Sequence, residues 1–213
     1  MRDAVQLQLA ACDDDHILYQ VALAALDAFV TVRVHGARAK TSAFFDKLSR
    51  ERYWDSFAVF AGSTVAEEAF LAINIRKQLT VIDVAPQYEG RGVAKRLAAA
   101  TGASVRYGLL GNCRKLLEGV DAVIIGAEEV AMNGCVLASP GASIVVQIAR
   151  ELGVSVVVTT QAVKFSEGMI VDWSYAGYDV IRPHEILTIV TEMNTSAYSA
   201  SDAPDVLKVL ARC

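Results

Sequence analysis

Little in this chain is equipped for the commonest kinds of metal, redox or nucleophilic chemistry. Its four cysteines, Cys12, Cys113, Cys135 and Cys213, form no Cys-x-x-Cys pair and none of the spacings that hold zinc. They are expected as free thiols of a reducing compartment, and no metal is expected. The three histidines, His16, His35 and His184, are scattered, with no metal spacing and no nucleophile beside them. There is no Walker A sequence and no Gly-x-Ser-x-Gly elbow. Gly90-Arg91-Gly92-Val93-Ala94-Lys95 begins like a dinucleotide fingerprint but lacks its third small residue and comes late after its strand, so no nucleotide cofactor is expected.

Positive charge is also in short supply. Lys and Arg number 20 against 24 Asp and Glu, for a net charge of −4, which argues against a nucleic-acid or anionic-membrane partner held by bulk electrostatics. No apolar run approaches the ~18 residues of a spanning helix. The basic start at Met1-Arg2 leads into Asp13-Asp14-Asp15 rather than into the apolar core of a signal peptide. A soluble, cytoplasmic chain is the expectation.

What the chain does have is apolar residues, 54% of the total, with a mean hydropathy of +0.35. Such a surplus fits a sheet buried on both faces, an oligomer interface, or both. From Ile17 to Val34 apolar residues recur at helical intervals, with Gly36 as a stop, and Phe44, Phe45 and Leu48 share one face of a second helix over Thr41–Arg50. From residue 56 the rhythm becomes short apolar runs alternating with helical stretches. Strands are predicted at Phe57–Ala61, Leu79–Val84, Ala103–Tyr107, Asp121–Ile125 and Val154–Thr159, with a further one at Tyr178–Ile181. The helices between them run from Thr64 to about Arg76, Glu89–Ala100, Asn112–Glu118 and Ser139–Leu152. Pro183 is expected to open a last helix through Glu192. A polar tail from Asn194 to Pro204 and a helical turn at Val206–Ala211 follow, and there is no internal repeat. This is the pattern of an α/β, Rossmann-like domain: a parallel sheet with helices on both faces over residues 55–213, preceded by a short helical segment over 1–54.

In such a sheet, function sits at the carboxyl ends of the strands. Gly62-Ser63-Thr64 opens a helix there and could hold an anion or simply cap it. Glu128-Glu129, after a buried strand and Gly126, is the best-placed carboxylate pair for proton transfer, though a solvated loop pair reads the same way.

Specific motifs gather around that loop. Gly126-Ala127-Glu128-Glu129…Asn133-Gly134, the helix from Gly141, Val163-Lys164-Phe165, Pro86-Gln87-Tyr88-Glu89-Gly90-Arg91 and Tyr178-Asp179-Val180-Ile181-Arg182-Pro183-His184-Glu185 occur in order. Together they resemble the alpha/beta/delta subunits of eukaryotic translation initiation factor 2B, delta-type most of all, and the related ribose-1,5-bisphosphate and methylthioribose-1-phosphate isomerases. The resemblance spans roughly residues 55–193. It implies a regulatory subunit of a guanine-nucleotide exchange complex, partnered by the complex's other subunits and by translation initiation factor 2, with a homodimer possible in isolation.

The isomerases use a cysteine after the first Rossmann strand and an aspartate in the Gly-Ala-Asp loop to shuttle protons between aldose and ketose phosphates. Here the cysteine position is Ala61 or Gly62, and the aspartate is Glu128. Ser139 and Ala142 replace the lysine and threonine of the phosphate loop, and Ala85 replaces the arginine before Pro86. No catalytic residue is therefore expected. What remains is a vestigial ligand pocket of Gly62, Ser63, Thr64, Arg91, Glu128, Asn133, Gly134, Gly141 and Lys164. The alternatives are an aldose–ketose isomerase for a pentose 1-phosphate, rebuilt around Glu128 and Cys135, and a sugar-phosphate sensor without turnover.

Overall fold

The computed structural model describes residues 15–31, 36–71, 78–101, 104–171 and 177–193. Two helices lead, α1 (Asp15–Phe29) and α2 (Gly36–Glu51). Alternating elements follow: β1 (Ser56–Phe60), α3 (Thr64–Leu71), β2 (Gln78–Asp83), α4 (Gly90–Thr101), β3 (Val105–Leu109), α5 (Cys113–Leu117) and β4 (Ala122–Gly126). The remainder comprises β5 (Glu129–Val130), β6 (Val136–Ala138), α6 (Ala142–Glu151), β7 (Ser155–Thr159), β8 (Asp179–Ile181) and β9 (Thr188–Val190).

Six strands form one parallel sheet in the order β3-β2-β1-β4-β7-β9. The central strands are short, β-branched and apolar on both faces, as burial beneath two helical layers requires. All five residues of β1 are buried, and their side chains alternate between two cores. Phe57 and Val59 join Phe45 and Leu48 of α2, Ala66 and Phe70 of α3, and Val93 and Leu97 of α4. Ala58 and Phe60 join Leu116 and Leu117 of α5 and Val145, Val146 and Ala149 of α6. Phe57 anchors the first core through edge-on contacts with Phe45, Trp54 and Phe70, at ring-centroid distances of 6.0, 6.4 and 6.4 Å.

Because α3 and α4 cover one face and α5 and α6 the other, the chain reverses its winding between β1 and β4. The place at which such a topology sets its site is that switch point, outside the carboxyl ends of the strands.

A second sheet, β5-β6-β8, is antiparallel. The run Tyr178–Ile181 does form a strand, but it pairs with β6 of this small sheet and not with the main one. The expected helix from Pro183 to Glu192 is absent. Pro183–Glu185 makes a single 3-10 turn, in which the Glu185 carboxylate accepts from the Arg182 N–H at 2.7 Å. Thr188–Val190 then becomes the sixth strand of the main sheet, parallel to β7. The run Ile186-Leu187-Thr188-Ile189-Val190 is β-branched and buried at alternate and then successive positions, so packing against β7 overrides the proline start signal. Gly36 opens α2 where a stop was expected. The predicted ends of the first helix and of the helix after Thr64, and the tail from Asn194, lie outside the described residues, as do Cys12, Cys213 and His35.

Candidate functional site

The candidate site lies at the turns after β1, β2, β4 and β6. Gly62 ends β1 with φ of +106°, a left-handed conformation that favours glycine. A β-carbon placed there would lie 3.5 Å from Glu89 Oε2 and 3.7 Å from Ser139 Oγ. Two other loops, those carrying Glu89 and Ser139, therefore converge on its bare α-carbon. Ser63 folds over Gly126, where an added β-carbon would come within 2.1 Å of both Ser63 Cβ and Oγ. Its hydroxyl accepts from the Ala66 N–H at 3.3 Å and its carbonyl from the Glu67 N–H at 3.0 Å, so Ser63 caps α3. Thr64 is the exposed first residue of that helix.

On one flank, Asp83 is buried to 1% exposure at the end of β2. It accepts from the Val84 N–H and the Tyr107 hydroxyl, both at 2.8 Å. Burial, and then the Asp83 carboxylate, push the Tyr107 hydroxyl up from its ordinary pKa. Gly90 is obligatory against this group, because a β-carbon there would sit 2.8 Å from Asp83 Cγ. The Arg91 guanidinium lies 4.6 Å above the centre of the Tyr88 ring.

On the other flank, Lys164 Nζ donates to the Ala127 carbonyl at 2.7 Å and to Glu128 Oε2 at 3.2 Å. Asp179 Oδ2 accepts from the N–H groups of Gly141 and Ser143, each at 2.9 Å, and from Ser143 Oγ at 2.6 Å. The amino-terminal N–H groups of α6 are thus met by the chain's own carboxylate.

Asn133 and Gly134 form the turn of the β5–β6 hairpin. Asn133 Nδ2 donates to the Ile170 carbonyl at 2.8 Å and its Oδ1 accepts from the Cys135 N–H, so its polar atoms hold the hairpin. Cys135 packs with Ala131, Leu137 and Ile170, and burial raises its thiol pKa. Among the described residues no hydrogen bond links this turn to Gly62 or Ser63, and no cluster could hold a metal.

Two features of the site had no expectation attached. Glu89 lay in a recognised motif, but nothing in the spacing showed that it faces Gly62. Thr159 and Thr160, at the end of β7, are buried with hydroxyls that have no hydrogen-bond partner, and only the packed sheet reveals them.

The initiation factor 2 subunit family model matches residues 55–196, the stretch that builds both flanks of this site. The chain belongs to that family. It is 30% identical over 121 residues to translation initiation factor eIF2B subunit delta of Dictyostelium discoideum, covering 55% of this chain and 19% of that protein. Against the subunit delta of Schizosaccharomyces pombe it is 26% identical over 112 residues, covering 52% and 24%. This stretch therefore amounts to about a fifth to a quarter of those relatives' length. The fold superposes on a chain of the tetrameric eIF2B-beta2-delta2 complex of C. thermophilum with a TM-score of 0.72 at 18% identity, covering 96% of this chain and 69% of that one. It superposes on eIF2B beta of Chaetomium thermophilum with a TM-score of 0.69 at 20% identity, covering 91% and 59%. At such identities the family's likeness in structure is one of fold. No helix among the described residues is long and apolar enough to cross a membrane.

Proposed function

We propose that the chain is a non-catalytic, regulatory subunit of a guanine-nucleotide exchange complex of translation initiation. It assembles in the cytoplasm with other subunits of its family and acts on translation initiation factor 2. The family and the delta-subunit relatives supply the context. The observation that carries the non-catalytic reading is the condition of the proton-transfer groups. Ala61 and Gly62 offer no acid or base at the end of β1, and the Glu128 carboxylate is held by Lys164. An aldose–ketose isomerisation needs a positioned group that takes a proton from one carbon and returns it to the next. Ser63 also occupies the space above Gly126.

The isomerase alternative around Glu128 and Cys135 finds no support in the geometry. Cys135 belongs to the apolar cluster of the small sheet, and its raised pKa keeps it a thiol at neutral pH.

The test is native mass spectrometry of the tagged chain recovered from its own cells. Recovery with other exchange-factor subunits at fixed stoichiometry is expected. Recovery only as a homodimer, together with turnover of a pentose 1-phosphate that Glu128→Gln abolishes, would replace this reading with the isomerase.

A further inference from the structure

The main sheet has two edges, and they differ. At one, β9 is buried at all three of its residues. At the other, β3 pairs with β2 alone. Val105, Arg106, Tyr107 and Gly108 are half-buried there and Leu109 is exposed. Among the described residues no strand pairs with the outer side of β3. An edge strand turns alternate N–H and C=O groups outward, and proteins commonly guard such a row with proline, lysine or a bulge. None of these guards β3. The strand contains neither proline nor lysine, and its register with β2 runs unbroken from Leu79↔Val105 to Asp83↔Leu109. Its one charged residue is folded inward. The Arg106 guanidinium donates to Thr80 Oγ1 at 3.1 and 3.2 Å and to the Leu116 carbonyl at 2.8 Å.

The charge around this edge is of one sign. Residues 90–117, which supply α4, β3 and α5, carry Arg91, Lys95, Arg96, Arg106, Arg114 and Lys115 and no Asp or Glu. The whole chain has a net charge of −4, so this stretch is a basic region of an acidic protein. The helices cover opposite faces of β3. Val93 and Leu97 of α4 share a core with Val105 and Tyr107, and Leu116 of α5 fills the space beside Gly108, 2.8 Å from the place of a β-carbon. Arg96 and Arg114 are paired with Glu67 and Glu151. Lys95 and Lys115, one on each helix, are exposed, and among the described residues neither has an ion pair.

We infer that the outer side of β3 is a docking edge for an extended acidic segment of a partner protein, which extends the six-stranded sheet by one strand. Main-chain hydrogen bonds hold the segment, and Lys95 and Lys115 attract its carboxylates. A second copy of this chain at the same edge would bring like charges together. Single-stranded nucleic acid needs open aromatic faces, and the rings at hand are engaged. Arg91 lies over Tyr88, while Tyr107 packs against the first core and gives its hydroxyl to Asp83. Docking at this edge goes beyond the assembly proposed above and is independent of it.

The test titrates a synthetic peptide of alternating glutamate and valine into the full chain, following the backbone amide resonances of Val105–Leu109 and their hydrogen exchange. Saturable shifts are expected at these residues, with exchange slowed at every second amide. The same peptide methylated at every backbone nitrogen is expected to bind at least about tenfold more weakly, because it has no N–H to give. A lysine–valine peptide should fall by a similar factor, and so should the acidic peptide on Lys95→Glu/Lys115→Glu, a double change at exposed positions. The absence of saturable shifts at β3 overturns the inference, as does equal affinity of the methylated or the lysine–valine peptide, or an affinity unchanged in the double variant. Tighter binding of oligouridylate than of the acidic peptide at the same amides also overturns it, and so does protection of β3 that grows with the concentration of the chain alone. Recovery with or without exchange-factor subunits bears on the other proposal only.

Discussion

A methyl group added at Gly126 would collide with Ser63, whose Cβ and Oγ both lie 2.1 Å from the added carbon. Ser63 is fixed by its cap on α3, so it cannot simply swing aside. Gly126→Ala is expected to lower stability by about 1–3 kcal/mol in urea denaturation. The double variant Gly126→Ala/Ser63→Gly should recover part of that loss, and strictly additive losses would show that the two residues are not in contact. At Lys164 the expected effect is smaller. Its ion pair with Glu128 is partly exposed, with 27% and 44% of the two side chains accessible, and such pairs contribute about 0–1 kcal/mol. The bond to the Ala127 carbonyl is worth about 1 kcal/mol more. Lys164→Met should therefore lower the unfolding free energy measured in urea by about 1–2 kcal/mol, whereas Glu128→Gln should cost about half of that or less. At this scale the residue types were legible in advance and their contacts were not. Gly62, Ser63, Glu128 and Lys164 could all be singled out from motifs, but a motif does not say which partner a side chain has taken.

Elements were more legible than contacts, because periodicity reports burial directly. The strands β1, β2, β4 and β7 are continuous apolar runs, and each lies within a residue or two of its expected place. The structure departs from the expected elements where two signals compete. Pro183 at a helix-opening position pointed one way, and Thr188-Ile189-Val190 pointed the other. Pairing with β7 decides it, because the strand buries Ile189 and Val190 completely while a helix after one 3-10 turn would leave half its residues in water. Ile189→Ala is expected to cost about 2–5 kcal/mol in chemical denaturation. A helix at this edge with Ile189 outward would tolerate the change to within about 0.5 kcal/mol. The small sheet leaves no periodic signal in the sequence for a related reason. Its strands have only two or three residues, too few for an alternation to register.

At the scale of the molecule, the winding reversal between β1 and β4 sets both the place of the site and the division of the core into two layers. The strand order is not written in any single segment. The layer beneath α5 and α6 has a property that the whole fold must answer for. Cys113, at 1% exposure, sits in that core, and burial pushes its thiol from 9.0 up to about 11. Between those two values the unfolded chain has lost the thiol proton and the folded chain has kept it. Stability must then fall as pH rises, because the unfolded state binds fewer protons. The full contribution is present below pH 9 and is lost on passing through pH 11. At 1.36 kcal/mol per pKa unit the loss is about 2–3 kcal/mol. Tyr107, raised above 10.0 by burial and by Asp83, acts in the same direction at the upper end of the window. Urea midpoints measured from pH 8 to pH 11 should decline for the native chain and decline less for Cys113→Ala, so that the stability gap between the two closes as pH rises. A gap that is constant across that range would mean that the thiol ionises as freely in the folded core as in the unfolded chain, and that water reaches the layer between α5 and the sheet.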